Sequence, residues 1–359
     1  MKTPIKQTRT KAKTAHPPFR VVHVGCGGMA GAWLQPASQM PGYEIVGLVD
    51  LNQSAAEGRR REFGLTDAVA GVDLKAILAS TGAQVVFNCT IPTAHYPVTM
   101  EALRAGCHVL SEKPLANNMV EARRMVAEAE RRELVFAVLQ NYRYRPEIRH
   151  IRKLIARNII GKVSTLLADF QIGAHFGGFR DEMDHVLLLD MAIHTFDMAR
   201  FLGGVSPQAV YCHEFNPPES WYRHGAAAHA IFEMSGDVVF NYRGSWCAQG
   251  VPGSWNCVWR IQGAKGAILW DGASGIRVEK VVGRTGFHRQ TEVREEVATA
   301  PKNALTGHAA ILSEFHRCLQ KGGTLETIAS DNIHSLAMVF GAIASADKKR
   351  REMIQPIKK

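Results

Sequence analysis

None of the seven cysteines in this chain stands in a C-x-x-C pair. Cys26, Cys89, Cys107, Cys212, Cys247, Cys257 and Cys318 are scattered, several of them inside apolar runs such as 85-VVFNCT-90. An odd number of isolated cysteines reads as buried, reduced thiols, against a secreted disulfide framework or a cysteine zinc site. Also missing is any uninterrupted apolar run of about 18 residues, which excludes a transmembrane helix. The N-terminal residues lack the apolar core of a signal peptide, so the expected location is the cytoplasm. Acid is absent from residues 2–20, which carry six bases, and nearly absent from residues 348–359, where six bases accompany Glu352 alone. These two ends account for the whole formal charge of +10 and leave the body between them close to neutral. Basic ends of this kind read as solvated tails, so neither a nucleic acid nor a membrane is an expected partner.

The remaining composition is ordinary for a globular protein, with 46% hydrophobic and 21% charged residues. At 359 residues the chain is long for one core, and two domains are expected.

The segment 20-RVVHVGCGGMAGAW-33 is an apolar strand that runs straight into a glycine cluster. Gly25, Gly27 and Gly28 permit a tight turn and a close approach of backbone to ligand, and Ala30 supplies the third small residue of G-x-G-x-x-G/A. Glycine turns after strands are common, so the weight falls on the next strand. The run 44-EIVGLVD-50 is a second buried strand, and its acid, Asp50, lies 22 residues beyond Gly28. A carboxylate there can accept hydrogen bonds from an adenosine ribose. Helix 73-DLKAILAS-80, strand 84-QVVFNCT-90, helix 95-HYPVTMEALRAG-106 and strand 107-CHVLSEKP-114 complete the series. Such alternation predicts a parallel, doubly wound sheet with ligands at the carboxyl ends of its strands. A pyrophosphate would rest on the helix N-terminus after Gly27. The sheet alone leaves a mononucleotide or flavin open, but turn, helix and ribose acid together favour a dinucleotide. Asp50 repels a 2′-phosphate, so NAD is favoured and NADP stays possible. Arg59, Arg60 and Arg61 read as a solvated face from which one residue could reach a phosphate. Pro36 should kink or shorten the first helix.

Asp190 and His194 stand four residues apart in 187-LLLDMAIHTFDMARFLGG-204. On a helix they share one face. A buried acid–base pair costs stability unless it is hydrogen-bonded, so the pairing serves either structure or chemistry. Together with His185 or Glu182 these are also metal-ligand types, but the spacing matches no metal signature, and no metal is expected.

With 111-SEKPLANN-118 the pattern becomes specific. The chain resembles the Gfo/Idh/MocA (glucose–fructose oxidoreductase/inositol dehydrogenase) family over roughly residues 19–345. The likeness rests on VGCGGMA, the acid of GLVD, 90-TIPTAHYPVTMEALRAGCHVLSEKPL-115, 140-QNYRYRP-146 and 190-DMAIH-194. It implies that the lysine of E-K-P and the Asp and His of D-x-x-x-H meet at a nicotinamide. Here those residues are Lys113, Asp190 and His194. Leu189 and Ala192 replace glycines that many relatives carry, so the relatives' substrates do not transfer.

Beyond residue 160 the sequence turns to β-branched and aromatic stretches: 163-VSTLLADFQI-172, 208-QAVYCHEF-215, 226-AAAHAIFE-233, 237-DVVFNYRGSWC-247 and 255-WNCVWRIQ-262. They read as an open antiparallel sheet. The expected fold class is therefore α/β: an N-terminal Rossmann domain and a C-terminal α+β domain with a large, open, mainly antiparallel sheet. The expected division is a basic disordered tail (1–18), the nucleotide domain (19–143) and a substrate and oligomerisation domain (144–330). By the family analogy, helix 331–349 packs back near the nucleotide domain. An open sheet seeks a partner, which predicts a homodimer or homotetramer.

Oxidising a secondary alcohol needs a hydride acceptor, a base and something to steady the oxyanion. The nicotinamide supplies the first. His194 is the expected base, because an imidazole is basic enough near neutrality and can give the proton up again. Asp190 is expected to hold one ring nitrogen and fix the tautomer, and Lys113 to stabilise the alkoxide. Cofactor contacts are expected from Gly25, Gly27, Gly28, Met29, Asp50, Leu51, Thr90, Ile91, Pro92, His95, Glu112, Lys113 and Asn141. Substrate contacts are expected from Lys113, Tyr142, Arg143, His175, Arg180, Asp190 and His194, with Trp221 and His224 as further candidates. The expected substrate is a sugar, polyol or cyclitol, because aromatics cover C–H faces while His, Arg and Asp bond hydroxyls. Arg143, Arg145 and Arg180 keep a sugar acid open. Two alternatives stand: an NADP-linked carbonyl or imine reductase, and a catalytically silent sensor of NAD(H) or sugar. A sensor has no need of a base, so the intact set of three argues against it.

Overall fold

Short apolar strands in the first half are too buried to alternate, and amphipathic helices between them cover both faces of one parallel sheet. The computed structural model describes residues 17–283, 285–298 and 304–355, so nearly all of the predicted N-terminal tail lies outside the described residues. The strands are β1 (Phe19–Val24), β2 (Tyr43–Val49), β3 (Val69–Gly71), β4 (Val85–Asn88), β5 (His108–Ser111) and β6 (Phe136–Val138). Helices α1 (Ala30–Gln39), α2 (Gln53–Glu62), α3 (Leu74–Thr81), α4 (Pro92–Arg104) and α5 (Met119–Arg131) connect them. The order β3-β2-β1-β4-β5-β6 reverses between β1 and β4, which opens a crevice at the carboxyl ends of those strands. Pro36 sits inside α1, which ends at Gln39, one turn later. Strands β3 and β6 hold three residues each, too few for a periodic signal, and went unpredicted.

A turn of 3-10 helix, Asn141–Tyr144, leads into α6 (Pro146–Ala156), β7 (Val163–Gln171) and, beyond a loop, α7 (Ile193–Gly203). Then come β8 (Pro207–Phe215), β9 (Ala227–Met234), β10 (Val238–Ser245), β11 (Val258–Gly263), β12 (Gly266–Trp270), β13 (Ile276–Val281) and β14 (Thr291–Glu296). Helices α8 (Gly307–Lys321) and α9 (Ala329–Lys348) precede a last short strand, β15 (Glu352–Met353). The second sheet runs β14-β13-β12-β11-β7-β10-β9-β8-β15 and is antiparallel except at β7–β10. Its inner face packs on α7, where Phe196 meets Phe232 and Phe240 at 4.8 and 6.0 Å between ring centroids. Its outer face carries one row of Tyr211, Ile231, Asn241 and Leu167 in register across four strands. The basic C-terminal segment is in part an ordered edge, not a tail. Arg351 grips Glu233 with two bonds of 2.6 Å, and Glu352 pairs with Val210 of β8. Among the described residues no helix is long and apolar enough to cross a membrane.

A buried ionic network ties the crossing between the two sheets to α7 and α9. Arg143 donates to both carboxylate oxygens of Asp197 at 2.6 Å, to Asp331 at 2.8 Å and to the Glu326 carbonyl at 2.8 Å. Arg200 reaches Asp331 and Ser335 at 2.8 Å, and Ser335 donates to Asp197 at 2.7 Å. The Asp197 side chain has no exposed surface, so its charge depends on these donors. Arg143→Ala is therefore expected to destabilise the protein by about 3–5 kcal/mol. Denaturant unfolding measures this, and wild-type stability in the variant would show that the network holds nothing.

Candidate active site

The stretch from Leu187 onward, expected as one α-helix, is two helices of different pitch. Leu187–Ala192 winds as a π-helix, and α7 takes over at Ile193. A π-turn bonds i to i+5, so residues four apart no longer stack, and Asp190 leaves the face that carries His194. The expected Asp190–His194 bond is replaced. Asp190 receives Lys113 Nζ at 2.7 Å on Oδ1 and Arg180 Nε at 2.7 Å on Oδ2. Lys113 also donates to the Asp190 backbone carbonyl at 2.8 Å. Burial alone would raise the Asp190 pKa, but the charges and hydrogen bonds of Lys113 and Arg180 outweigh it and hold it at about 2.

His194 has a different partner. Its Nδ1 stands 3.1 Å from the side-chain Nε2 of Gln140, at the end of β6. The imidazole stacks on Tyr142 at 4.2 Å and 17°, and the Arg145 guanidinium lies 4.9 Å from the centroid of that phenol ring. Burial first, and then the charge of Lys113, push the His194 pKa well below its ordinary value, with Asp190 offsetting part of the effect. The ring is neutral at physiological pH. The ammonium after β5 thus bonds the Asp190 backbone carbonyl four residues before the imidazole on α7, which stands 81 positions further along the chain.

The glycine turn suits a dinucleotide. Gly25 has φ +95°, and a Cβ there would come within 2.5 Å of the Cys89 carbonyl oxygen, so only glycine fits. A Cβ at Gly27 or Gly28 would meet nothing within 4 Å, which leaves the turn open on its outer side. No side chain caps α1 among the described residues, which leaves its N-terminus open to an anion, although the Ala30 and Ala32 N–H groups bond back to the Gly27 and Met29 carbonyls at 3.2 and 3.0 Å. Asp50 accepts from the Cys26 and Asn52 N–H groups at 2.8 Å each, leaving lone pairs for ribose hydroxyls. Arg59 folds back over the turn and donates to the Cys26 and Gly27 carbonyls at 3.2 and 2.7 Å, so it is not part of a solvated face. Met29, Leu51 and Ile91 are 50%, 97% and 60% exposed at the strand ends, apolar surface that a bound adenine or nicotinamide would cover. Asn141 Oδ1 is buried without a partner among the described residues, an acceptor available to a carboxamide.

The other expected residues divide between the site and its supports. Thr90 donates to Asn88 at 2.6 Å, and Pro92 opens α4. Glu112 accepts from the Trp33 indole at 2.7 Å and from the Lys113 N–H at 3.1 Å, which braces the lysine. His95 departs from expectation: it is fully buried, with Nδ1 2.7 Å from the Pro114 carbonyl and Nε2 3.0 Å from the Thr90 carbonyl. It supports the loops from behind instead of facing a ligand. Arg143 also departs, because the Asp197 network uses its donors. Arg180 stands at the site, its guanidinium 4.8 Å from the Phe179 ring centroid. His175 pairs with Asp181 and stacks on Trp221 at 5.1 Å, and His224 pairs with Asp184. The two metal-type neighbours are engaged elsewhere, His185 with Glu214 and Glu182 with Arg223. Gln140 is absent from the expected site residues although it opens Q-N-Y-R-Y-R-P. A glutamine ending a buried strand just before the crossover was the available signal.

Comparison with known proteins assigns both halves of the chain. Residues 19–140 match the oxidoreductase family with the NAD-binding Rossmann fold, and residues 148–269 match the GFO/IDH/MocA C-terminal domain. The chain belongs to the Gfo/Idh/MocA family. This family member is 26% identical over 358 residues to the uncharacterized protein y4oX of Sinorhizobium fredii, covering 95% of each chain. It is 23% identical over 330 residues to 1,5-anhydro-D-fructose reductase of Ensifer adhaerens, covering 90% of this chain and 95% of that one. A levoglucosan dehydrogenase solved with NADH and levoglucosan superposes with a TM-score of 0.80 at 19% identity, covering 95% of this chain and all of its own. At that identity the likeness establishes the fold.

Removing the acid at the end of β2 is expected to weaken discrimination against a 2′-phosphate. In Asp50→Ala the ratio of NADP to NAD dissociation constants should fall by about tenfold, near 1.4 kcal/mol. Fluorescence titration of both reduced cofactors reads it, and an unchanged ratio would remove Asp50 from cofactor choice.

Proposed function

We propose that this oxidoreductase moves hydride between a secondary hydroxyl of a sugar, polyol or cyclitol and NAD. The observation that carries the reading is the meeting, beyond the carboxyl end of β5, of an ammonium pinned by a carboxylate and a neutral imidazole. Nicotinamide, when bound, supplies the hydride acceptor. The rest is the work of this chain. Neutral His194 takes the hydroxyl proton, and the Lys113 charge steadies the oxygen as negative charge develops on it. Asp190 holds Lys113 in place, and Arg180 keeps Asp190 ionised. Tyr142, His175 and Arg180 are the proposed substrate contacts. Sugar chemistry is supported by relatives such as the D-apiose dehydrogenase of Paraburkholderia graminis, 25% identical over 342 residues. NAD is preferred on account of Asp50. All seven cysteines are free and buried, which supports a reducing cytoplasm.

We further propose that the outer row of the second sheet joins two copies of the chain. Tyr211 and Ile231 are 47% and 50% exposed there, large side chains that a partner surface would cover. Ile231→Glu should then lower the mass measured by light scattering to that of one chain, and a wild type already monomeric would end the proposal.

A panel of sugars and inositols, screened with NAD⁺ and NADP⁺ by absorbance of the reduced nicotinamide, tests the activity. His194→Ala should lower kcat by roughly 10²–10⁴-fold while NADH affinity stays near wild type. Unchanged turnover would remove His194 from the chemistry. The pH profile carries a sign. A base acts when neutral, and the His194 pKa is lowered, so oxidation should lose its base only well below pH 6.5. A limb at or above 6.5 would contradict this.

A further inference from the structure

Gln140 has no surface exposure, yet only half of its amide is engaged. Nε2 stands 3.1 Å from His194 Nδ1, while Oε1 is buried with no partner among the described residues. A buried acceptor left unpaired costs stability, so an orphaned atom of this kind calls for a use. We propose that Gln140 is the positioning residue that sets the tautomer of His194, and that its amide turns over to free the imidazole Nε2 as a proton acceptor. This rests on His194 as the acid–base group.

Gln140 Nε2–H donates to Nδ1, so the neutral imidazole carries its own proton on Nε2. That form offers an N–H to a substrate oxygen but no lone pair, and losing that proton would leave an imidazolate, so it holds a substrate oxygen without exchanging a proton with it. When the amide is turned by half a turn, Oε1 accepts from Nδ1–H and the imidazole Nε2 keeps a free lone pair. That form suits alcohol oxidation. The proton then passes from the hydroxyl to Nε2, the O–H electron pair becomes the second carbon–oxygen bond, and the C–H pair leaves as hydride to the nicotinamide. The resulting imidazolium keeps Nδ1–H on Oε1. The turn breaks one hydrogen bond and makes an equivalent one, because among the described residues no other group holds either end of the amide. The last torsion of glutamine is broad and roughly two-fold, so it opposes the motion little. The Tyr142 stack fixes the plane of the imidazole, which leaves the amide as the part that adjusts. A carboxylate in the same place would stabilise the imidazolium far more than a neutral amide does. Asp190, bound to Lys113 and Arg180, is not available for that role.

Gln140→Leu and the near-isosteric Gln140→Glu test the proposal in the full chain. Two readings are taken: ¹⁵N shifts of labelled histidines in the presence of NADH, with His194→Asn identifying the signal, and turnover on the best sugar of the panel. Gln140→Leu should lower kcat about tenfold to a hundredfold, part of the roughly 10²–10⁴-fold that positioned proton transfer supplies. NADH binding should stay within about twofold while the His194 tautomer signature is lost. Gln140→Glu should raise the His194 pKa by about one unit or more and carry the acid limb of kcat/KM with it. It bears the test alone if the leucine variant does not fold. An unmoved limb and wild-type ¹⁵N shifts would overturn the role of Gln140. Wild-type turnover in His194→Ala would overturn the acid–base reading instead, so the two failures are distinguishable.

Discussion

The contact between Lys113 and Asp190, 2.7 Å from nitrogen to oxygen, joins the two halves of the molecule at the point where chemistry is proposed. It brings a cation from the parallel sheet onto an acid of the segment that enters α7. Neither side chain is more than 18% exposed, so each charge depends on the other for most of the solvation it has lost. Arg180, 2.7 Å from the second carboxylate oxygen, gives Asp190 two cations. Burial and then the Lys113 charge suppress protonation of His194, and the same ammonium favours oxyanion character on a substrate oxygen.

The seven residues Gln140–Pro146 carry much of the rest. Gln140 and Tyr142 face His194, one through a hydrogen bond and one through ring stacking. Arg143 points away and is consumed by the Asp197–Asp331 network, while Tyr144 bonds Glu314 of α8. A tight helical turn distributes neighbouring side chains to different sides, so one short segment both supports the site and anchors it to three helices. This coupling makes the position of His194 depend on contacts that never touch a ligand.

Much of the fold was legible in the chain. Apolar strands ending in Gly25 and Asp50, and β-branched runs after residue 160, are local patterns whose period follows from strand geometry. What stayed hidden included β3 and β6 at three residues each and β14, whose TEVREE reads as a solvated run, and also β12, β13 and the helices α5, α6 and α8. An edge strand can carry charge on both faces because water covers it, and so it leaves no apolar signature.

The sequence by itself determined the dinucleotide turn and pointed to the groups proposed to react. Glycine at position 25 and the residues of E-K-P and D-x-x-x-H are properties of residue type and spacing. Tertiary structure decided who bonds to whom. Helical spacing assigned Asp190 to His194, but the π-turn rotated the acid toward Lys113 and Arg180 and left the imidazole to Gln140. The physical reason is that charges leaving water seek opposite charges wherever folding brings them. The Lys113 and Arg180 cations compensate a carboxylate far better than a neutral ring four residues away.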